Sequence, residues 1–379
     1  MAEIVQTPSL VSSQARAEAQ TQAAGPRIYL DVPRALAYVL MTVGAFVFII
    51  PFLWMISVSL LSGGESQAGR MITGQSLLEA FTYTDAELNT PLNVTVPSYV
   101  KATDALDRNE LEQTAREYAD THDDYWIVGN TVLRGGLVNY LRAWDRANFG
   151  RYFFNSVIMT FLTVVGQTLF SILAAYAFAR IQFPGRDLLF ALFLARLFIP
   201  ATITLIPNYL TVSNLNNIFD AFYAQIGLTD LARSLGLRWI NGWFGLTVPF
   251  LASTFGIFLL RQFFRQIPDE LYDAARIDGA GHMRFLFQVC VPISRAAIVT
   301  VVLFTFIGTW NSLEWPLLIT QDKTWRPISY GLYSFQQEVN VEFNLLMAGA
   351  VITLIPVLIV YFFAQKQFVQ GIATTGLKG

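Results

Sequence analysis

The sequence has little of what most catalytic and metal sites are made from. It holds one cysteine, Cys290, in 379 residues, so no internal disulfide and no cysteine-rich metal centre can form. Its two histidines, His122 and His282, are too few for a histidine-based metal site and argue against catalysis by a nucleophile and a histidine base. Charge is scarce as well. Asp, Glu, Lys and Arg make up 14% of the chain, against about 25% in ordinary soluble domains. A net charge of −2 gives no basis for a nucleic-acid partner. There is no GxxxxGK[ST] sequence and no Gly-rich dinucleotide fingerprint after a strand. The chain therefore carries no nucleotide-binding loop of its own, and any energised work draws on a partner or an ion gradient. No cofactor and no enzymatic role is expected.

What is abundant is apolar. Hydrophobic residues are 54% of the chain and aromatics 14%, which points to a membrane protein. A bilayer core about 30 Å thick needs roughly 20 apolar residues in a helix. Six stretches meet that test: residues 36–61, and about 153–179, 188–212, 243–264, 293–319 and 344–364. Lipid cannot satisfy an open backbone, so these are helices, and the predicted fold is an all-α polytopic membrane protein with six transmembrane helices. Pro51, Pro200, Pro207, Pro316 and Pro356 are expected to kink several of them.

The polar segments fall into place around these spans. Residues 1–33 are rich in Ala, Gln and Ser and read as a disordered tail, followed by a first span at 34–61. Basic residues set the orientation. Arg180 and Arg186 follow span two, Arg261, Arg265, Arg276, Arg284 and Arg295 lie between spans four and five, and Lys366 and Lys378 follow span six. That side is cytoplasmic by the positive-inside rule, and both termini lie there. Residues 62–151 then form a long extracytoplasmic loop or subdomain, with one amphipathic helix expected from Leu106, Leu111, Ala115 and Tyr118. Residues 152–365 form a five-helix core, and 366–379 a cytoplasmic C-terminal tail. Residues 216–242 make a second, shorter outside excursion.

One charged segment, "YDAARIDGAG" at 272–281, interrupts the apolar pattern. Asp269, after Pro268, suits a helix N-cap. Leu271, Ala274, Ala275 and Ile277 or Ala280 can share a small-residue face. Asp273 and Arg276 are spaced to pair weakly, and Gly279 and Gly281 can end the helix. This describes a short cytoplasmic helix that is either an amphipathic connector or a knob held in a partner's groove.

The segment resembles the EAA motif of permease subunits in binding-protein-dependent ABC importers. Asp273-Ala274-Ala275, Asp278-Gly279-Ala280 and Pro292 stand in the motif's register, with Asp273 in place of the usual Glu. "PFLWMISVSL", "FFNSVIMT", "AAYAFARIQFPGR", "FGIFLLRQFF", "TFIGTWNSLEWPLL" and "QKQFVQGIATTGLKG" are similar to the carbohydrate branch, in particular the maltose-type second permease subunit. The resemblance spans all six helices and leaves out residues 62 to about 136, which look like an insertion.

The resemblance implies a multi-pass bacterial plasma or inner-membrane subunit with several partners. It would pair with a second permease subunit, sit on two ATP-binding subunits, receive solute from an extracytoplasmic solute-binding protein, and couple to ATP through a helix at 269–280. The solute would be an oligosaccharide, disaccharide or polyol. Candidate pathway residues are Asn208, Tyr209, Trp310, Asn311, Ser312, Glu314 and Trp315, since sugar sites combine polar groups with aromatic faces. Membrane anchoring of the tryptophans is the plainer role, and helix packing that of Asn311, Asn155 and Ser156. Arg196 and Glu314 are ionisable groups inside predicted spans, and such groups usually face the bundle interior, so one or both are expected to line the pathway, singly or as a pair. His282 reads as a polar cap. The alternatives are an importer for another small solute or an ion-coupled secondary carrier, which would show inverted repeats and broken-helix ion sites.

Overall fold

The computed structural model describes residues 32–73, 77, 79–82, 125–128, 131–337 and 342–375. Most of the N-terminal tail, and the amphipathic helix expected within 101–126, lie outside these. The chain divides into two compact units, Met1–Trp54 and Met55–Gly379. The first unit contributes most of span one, the helix Val32–Ser59, which carries Pro51 inside it.

Among the described residues, three helices are long and apolar enough to cross a membrane: Leu36–Ser59, Phe149–Arg180 and Phe343–Gln365. Three bent pairs bring the total to six if each pair is one span. They are Arg186–Phe198 with Ala201–Gln225, bent by 108°; Trp243–Phe250 with Thr254–Arg265, bent by 44°; and His282–Ile293 with Arg295–Trp310, bent by 83°. Spans two and six are therefore continuous, whereas spans three, four and five are broken. Pro200 sits at the 108° break as the N-cap of Ala201–Gln225, where its fixed φ and missing N–H suit a helix start. Pro207 and Pro356 lie inside their helices. Span five ends earlier than its sequence suggested. Its helix ends at Trp310, and Pro316 belongs to a separate helix, Glu314–Ile319.

The 83° elbow has a local cause. Pro292 removes the N–H that would bond to the carbonyl of Gln288, and its ring crowds that carbonyl. The preceding residues, Leu286–Cys290, widen into a π-helix, a form that absorbs such a mismatch. Helix Arg295–Trp310 then starts in a new direction after Ser294.

Small residues let the spans approach. A Cβ at Gly256 in span four would lie 2.8 Å from Ser171 Oγ of span two and 3.2 Å from Val301 Cγ1 of span five. Close backbone approach of this kind is how helices gain packing energy in lipid. One core cluster joins span two (Ile172, Tyr176), span four (Leu260, Phe264) and the elbow (Phe285, Leu286). A second gathers Phe149, Tyr152, Trp310, Phe335 and Leu345 around the start of span six.

The region after span one adds a few short strands to the helical fold. A small antiparallel sheet in the order β1-β3-β2 pairs Glu79–Thr82 (β1) and Tyr125–Val128 (β2) with Thr131–Arg134 (β3). It leads into the helix Val138–Arg146, whose buried Asn139 donates to the carbonyls of Ser59 at 2.9 Å and Leu61 at 2.7 Å. Asn344, at the start of span six, donates to Asn139 Oδ1 at 3.2 Å. The span-six helix continues to Thr375, so the described part of the expected tail at 366–379 is helical.

Candidate functional site

The charged segment forms the helix Asp269–Ile277, with none of its residues buried. Pro268, not Asp269, is the N-cap, at φ −57° and ψ 143°. Asp269 and Glu270 occupy the first turn and Arg276 the last, each at the end of the helix dipole that favours its charge. The C-terminus closes as a Schellman motif. Ala280 N–H donates to Ala275 O at 2.8 Å, and Gly279 takes φ +77°, the left-handed conformation that glycine adopts without a Cβ penalty. Gly281 is extended and caps the next helix, which starts at His282.

The expected small-residue face is divided in two. Tyr272 and Ala275 pack inward on the core cluster of spans two and four. Leu271, Ala274 and Ile277 face outward, Ile277 with 87% of its surface exposed. Asp273 and Asp278 are exposed as well. Arg276 lies over the Tyr272 ring, 5.9 Å from its centroid, and no Asp273–Arg276 ion pair occurs among the described residues. Pro292 is half-buried in the elbow and outside the exposed face. The helix thus presents a ridge of mixed apolar and acidic groups and is anchored from behind.

His282 is more than a cap. Its Nδ1 lies 2.9 Å from the Tyr176 hydroxyl of span two, and the Tyr272 ring stacks on it with centroids 5.3 Å apart. Arg180 is more than a charge that sets orientation. Its guanidinium donates to the carbonyls of Phe264 and Ile267 and to the Asp269 carboxylate.

The pathway candidates scatter. A cavity of about 330 Å³ opens between spans two, four and five. Ser312 and Trp315 line it, together with Gln167, Phe250, Ser253 and Thr309, and none of its lining residues is charged. Gln167 Nε2 donates to Thr305 Oγ1 across the cavity wall at 2.6 Å. Trp310 is turned away. It is buried between Phe153 and Phe306, and its Nε1 donates to Thr353 O of span six at 3.0 Å. Trp315 Nε1 donates to Gly245 O at 2.8 Å. Asn311 is exposed and bonds within its own helix, to Ile307 O at 2.9 Å, so it does not link helices. Glu314 and Asn208 are exposed, and Tyr209 packs against the cluster around Trp239 and Trp315. Arg196 is exposed in the turn before Pro200, and no Arg196–Glu314 ion pair occurs among the described residues. Asn155 holds a loop, and Ser156 ties span two to the start of the helix Ile328–Gln336. Asn155 Nδ2 donates to Thr324 O at 2.7 Å, and Ser156 Oγ accepts from Ile328 N–H at 2.8 Å.

Comparison with known proteins decides what this geometry belongs to. Residues 167–374, more than half the chain, match the model of the binding-protein-dependent transport system inner membrane component family. The chain belongs to that family. The permease is 36% identical over 230 residues to the sn-glycerol-3-phosphate transport system permease protein UgpE of Yersinia enterocolitica, covering 60% of this chain and 74% of the relative. It is 32% identical over 237 residues to the diacetylchitobiose uptake system permease protein NgcG of Streptomyces coelicolor, covering 62% and 72%. Its fold matches a chain of a bacterial ABC transporter involved in import of the acidic polysaccharide alginate. The TM-score is 0.62 at 19% identity, over 89% of this chain and 96% of the other. The permease is therefore a multi-pass inner-membrane transport component and not an enzyme. Family membership also overrides the ion-coupled alternative, which the broken helices alone would have suited.

Proposed function

We propose that this permease forms half of the translocation pathway of an ATP-driven importer for an uncharged, polyhydroxylated solute of the sugar class. The helix Asp269–Ile277 is the part that docks on an ATP-binding subunit. The observation that carries the solute class is the cavity lining. Hydroxyl and amide groups of Gln167, Ser253, Thr309 and Ser312 suit sugar hydroxyls, and Phe250 and Trp315 suit the C–H faces of a sugar ring. No lining cation is present to balance a phosphate ester, which carries about −1.5 to −2 charge near neutral pH. An unpaired ion costs several kcal/mol to desolvate. The cavity thus favours a solute like that named for the diacetylchitobiose relative over the glycerol phosphate named for the UgpE relative.

The docking role rests on the exposed ridge of Leu271, Asp273, Ala274, Ile277 and Asp278. A cytoplasmic place for it, with both termini on the same side, is supported by the contacts of Arg180. These bring the basic loop after span two and the basic segment between spans four and five to one end of the bundle. The remaining partners follow from the same reading: a second permease subunit, two ATP-binding subunits and an extracytoplasmic solute-binding protein. The segment inserted at 62 to about 136 would enlarge the surface that meets the binding protein.

The test is uptake into proteoliposomes holding the complete complex and its binding protein. Diacetylchitobiose or a similar neutral disaccharide is expected to accumulate only with ATP, and sn-glycerol 3-phosphate is expected not to. Accumulation of the phosphate ester alone would overturn the solute class. Uptake without ATP would overturn the importer.

A further inference from the structure

Spans two and four exchange arginines at their ends. Arg180, in the last turn of span two, donates to Phe264 O in the last turn of span four, at 3.0 Å from Nε and 2.7 Å from Nη2. Arg261, in span four, donates in return to Phe178 O of span two at 3.2 Å and lies 3.9 Å from the centre of the Phe190 ring. The last carbonyls of a helix have no partner within it, and cations suit that end of the dipole. Each helix is therefore capped by the other's side chain. Both guanidinium groups are largely buried: the Arg180 side chain is 10% exposed and that of Arg261 7%.

Arg180 reaches further than a cap needs to. Its remaining donors take Ile267 O and the Asp269 carboxylate, the linker and first turn of the docking helix. A second attachment lies one turn back along span two, where Tyr176 meets His282, on which Tyr272 of the docking helix stacks. Span two, among the described residues, is also a full-length continuous span that both touches the docking helix and lines the cavity, through Met159 and Gln167. Span five reaches the cavity only across its 83° bend, and span four touches it with Phe255 at the near end of Thr254–Arg265 before bending by 44°. A push on a bent helix can be absorbed at the bend, whereas a continuous helix passes it on.

We infer that Arg180 is a positioning residue for transport, and that the crossed Arg180–Arg261 clamp makes span two the rod that carries displacement of the docking helix to the solute cavity. The inference rests on the proposed docking role of that helix and names the element it drives. Replacing Arg180 should separate ATP hydrolysis from solute movement, because the clamp lies between the ATP-binding subunits and the cavity and belongs to neither.

The experiment uses the full complex in proteoliposomes and measures solute transported per ATP hydrolysed. For Arg180→Ala, complex assembly is expected to stay within about twofold of the parent and hydrolysis to continue, with the transport-to-hydrolysis ratio falling about tenfold or more. Arg180→Lys keeps one charged contact and should fall less. In a Cys290→Ala background, Arg180→Cys with Asp269→Cys replaces the clamp by a bifunctional thiol cross-linker, and cross-linking should restore the ratio severalfold. A loss of transport in strict proportion to assembled complex, with no change in the ratio and no rescue by cross-linking, would reduce Arg180 to a helix cap and overturn the inference. Should Arg180→Ala fail to assemble, the lysine variant and the cross-linked pair decide. If the parent complex itself transports without ATP, the docking reading fails whatever Arg180 does.

Discussion

Gly279 offers a graded perturbation of the docking helix. Its φ of +77° places it in the left-handed region, and a Cβ built there meets nothing within 4 Å. Gly279→Ala therefore introduces backbone strain without a clash, a cost of about 1–2 kcal/mol. That shifts the balance between capped and frayed helix by a factor of roughly 5–30. If docking needs the capped form, the apparent affinity for the ATP-binding subunit falls by up to the same factor. Gly279→Asn should cost less, since Asn enters this region more readily. Gly279→Pro cannot adopt the conformation at all, because its φ is fixed near −65°. It also loses the N–H that donates to Arg276 O at 3.0 Å and disrupts the Ala280-to-Ala275 bond. At about 1 kcal/mol for each net hydrogen bond plus the strain, the total is about 3–4 kcal/mol, or more than a hundredfold. The assay is titration of solubilised permease complex with the ATP-binding subunit, followed by ATP-driven uptake in proteoliposomes. The order expected is Gly, Asn, Ala, Pro, with unchanged membrane insertion. Wild-type affinity and uptake for Gly279→Pro would show that the capped helix is not the docking element.

The two faces of the same helix separate docking from folding. Ala274→Arg, on the outward ridge, should weaken binding of the ATP-binding subunit tenfold or more at unchanged thermal stability. Ala275→Glu, on the inward face, should lower the stability of the permease itself, read as a lower melting temperature in detergent. The cavity and its surroundings separate in the same way. Trp310→Ala should cost about 3–5 kcal/mol of stability, as large-to-small changes in packed sites do, and leave solute preference unchanged. Thr309→Arg should leave stability within about 1 kcal/mol and admit phosphorylated solutes, measured as competition for uptake.

The six apolar stretches, the helix at 269–277 and its glycine stop were legible because they depend on local properties: length, hydropathy and backbone freedom. What was not legible depends on direction. Pro200 announces a break, but nothing in the sequence says that the break is 108°. Trp310 and Trp315 read alike, as large aromatics with a polar edge. The turn between them sends one towards Thr353 and the other to the cavity rim. Arg180 and Arg261 were counted as charges at a membrane face, because a long side chain's partner is set by which helix end happens to lie beside it. The strand Glu79–Thr82 escaped notice for a related reason: it is four residues long, and its register with Thr131–Arg134 is fixed by the tertiary fold. The Asp269 cap was misplaced by one residue, and the carboxylate serves Arg180 instead.

The measurement that bears most directly on the central claim is a photo-cross-link from the docking ridge. A photoreactive residue placed at Ile277, which is 87% exposed, is expected to capture the ATP-binding subunit in membranes holding the assembled complex. The yield should change when ATP is added. A cross-link from Ile277 to lipid alone, at full assembly and with uptake intact, would contradict the account.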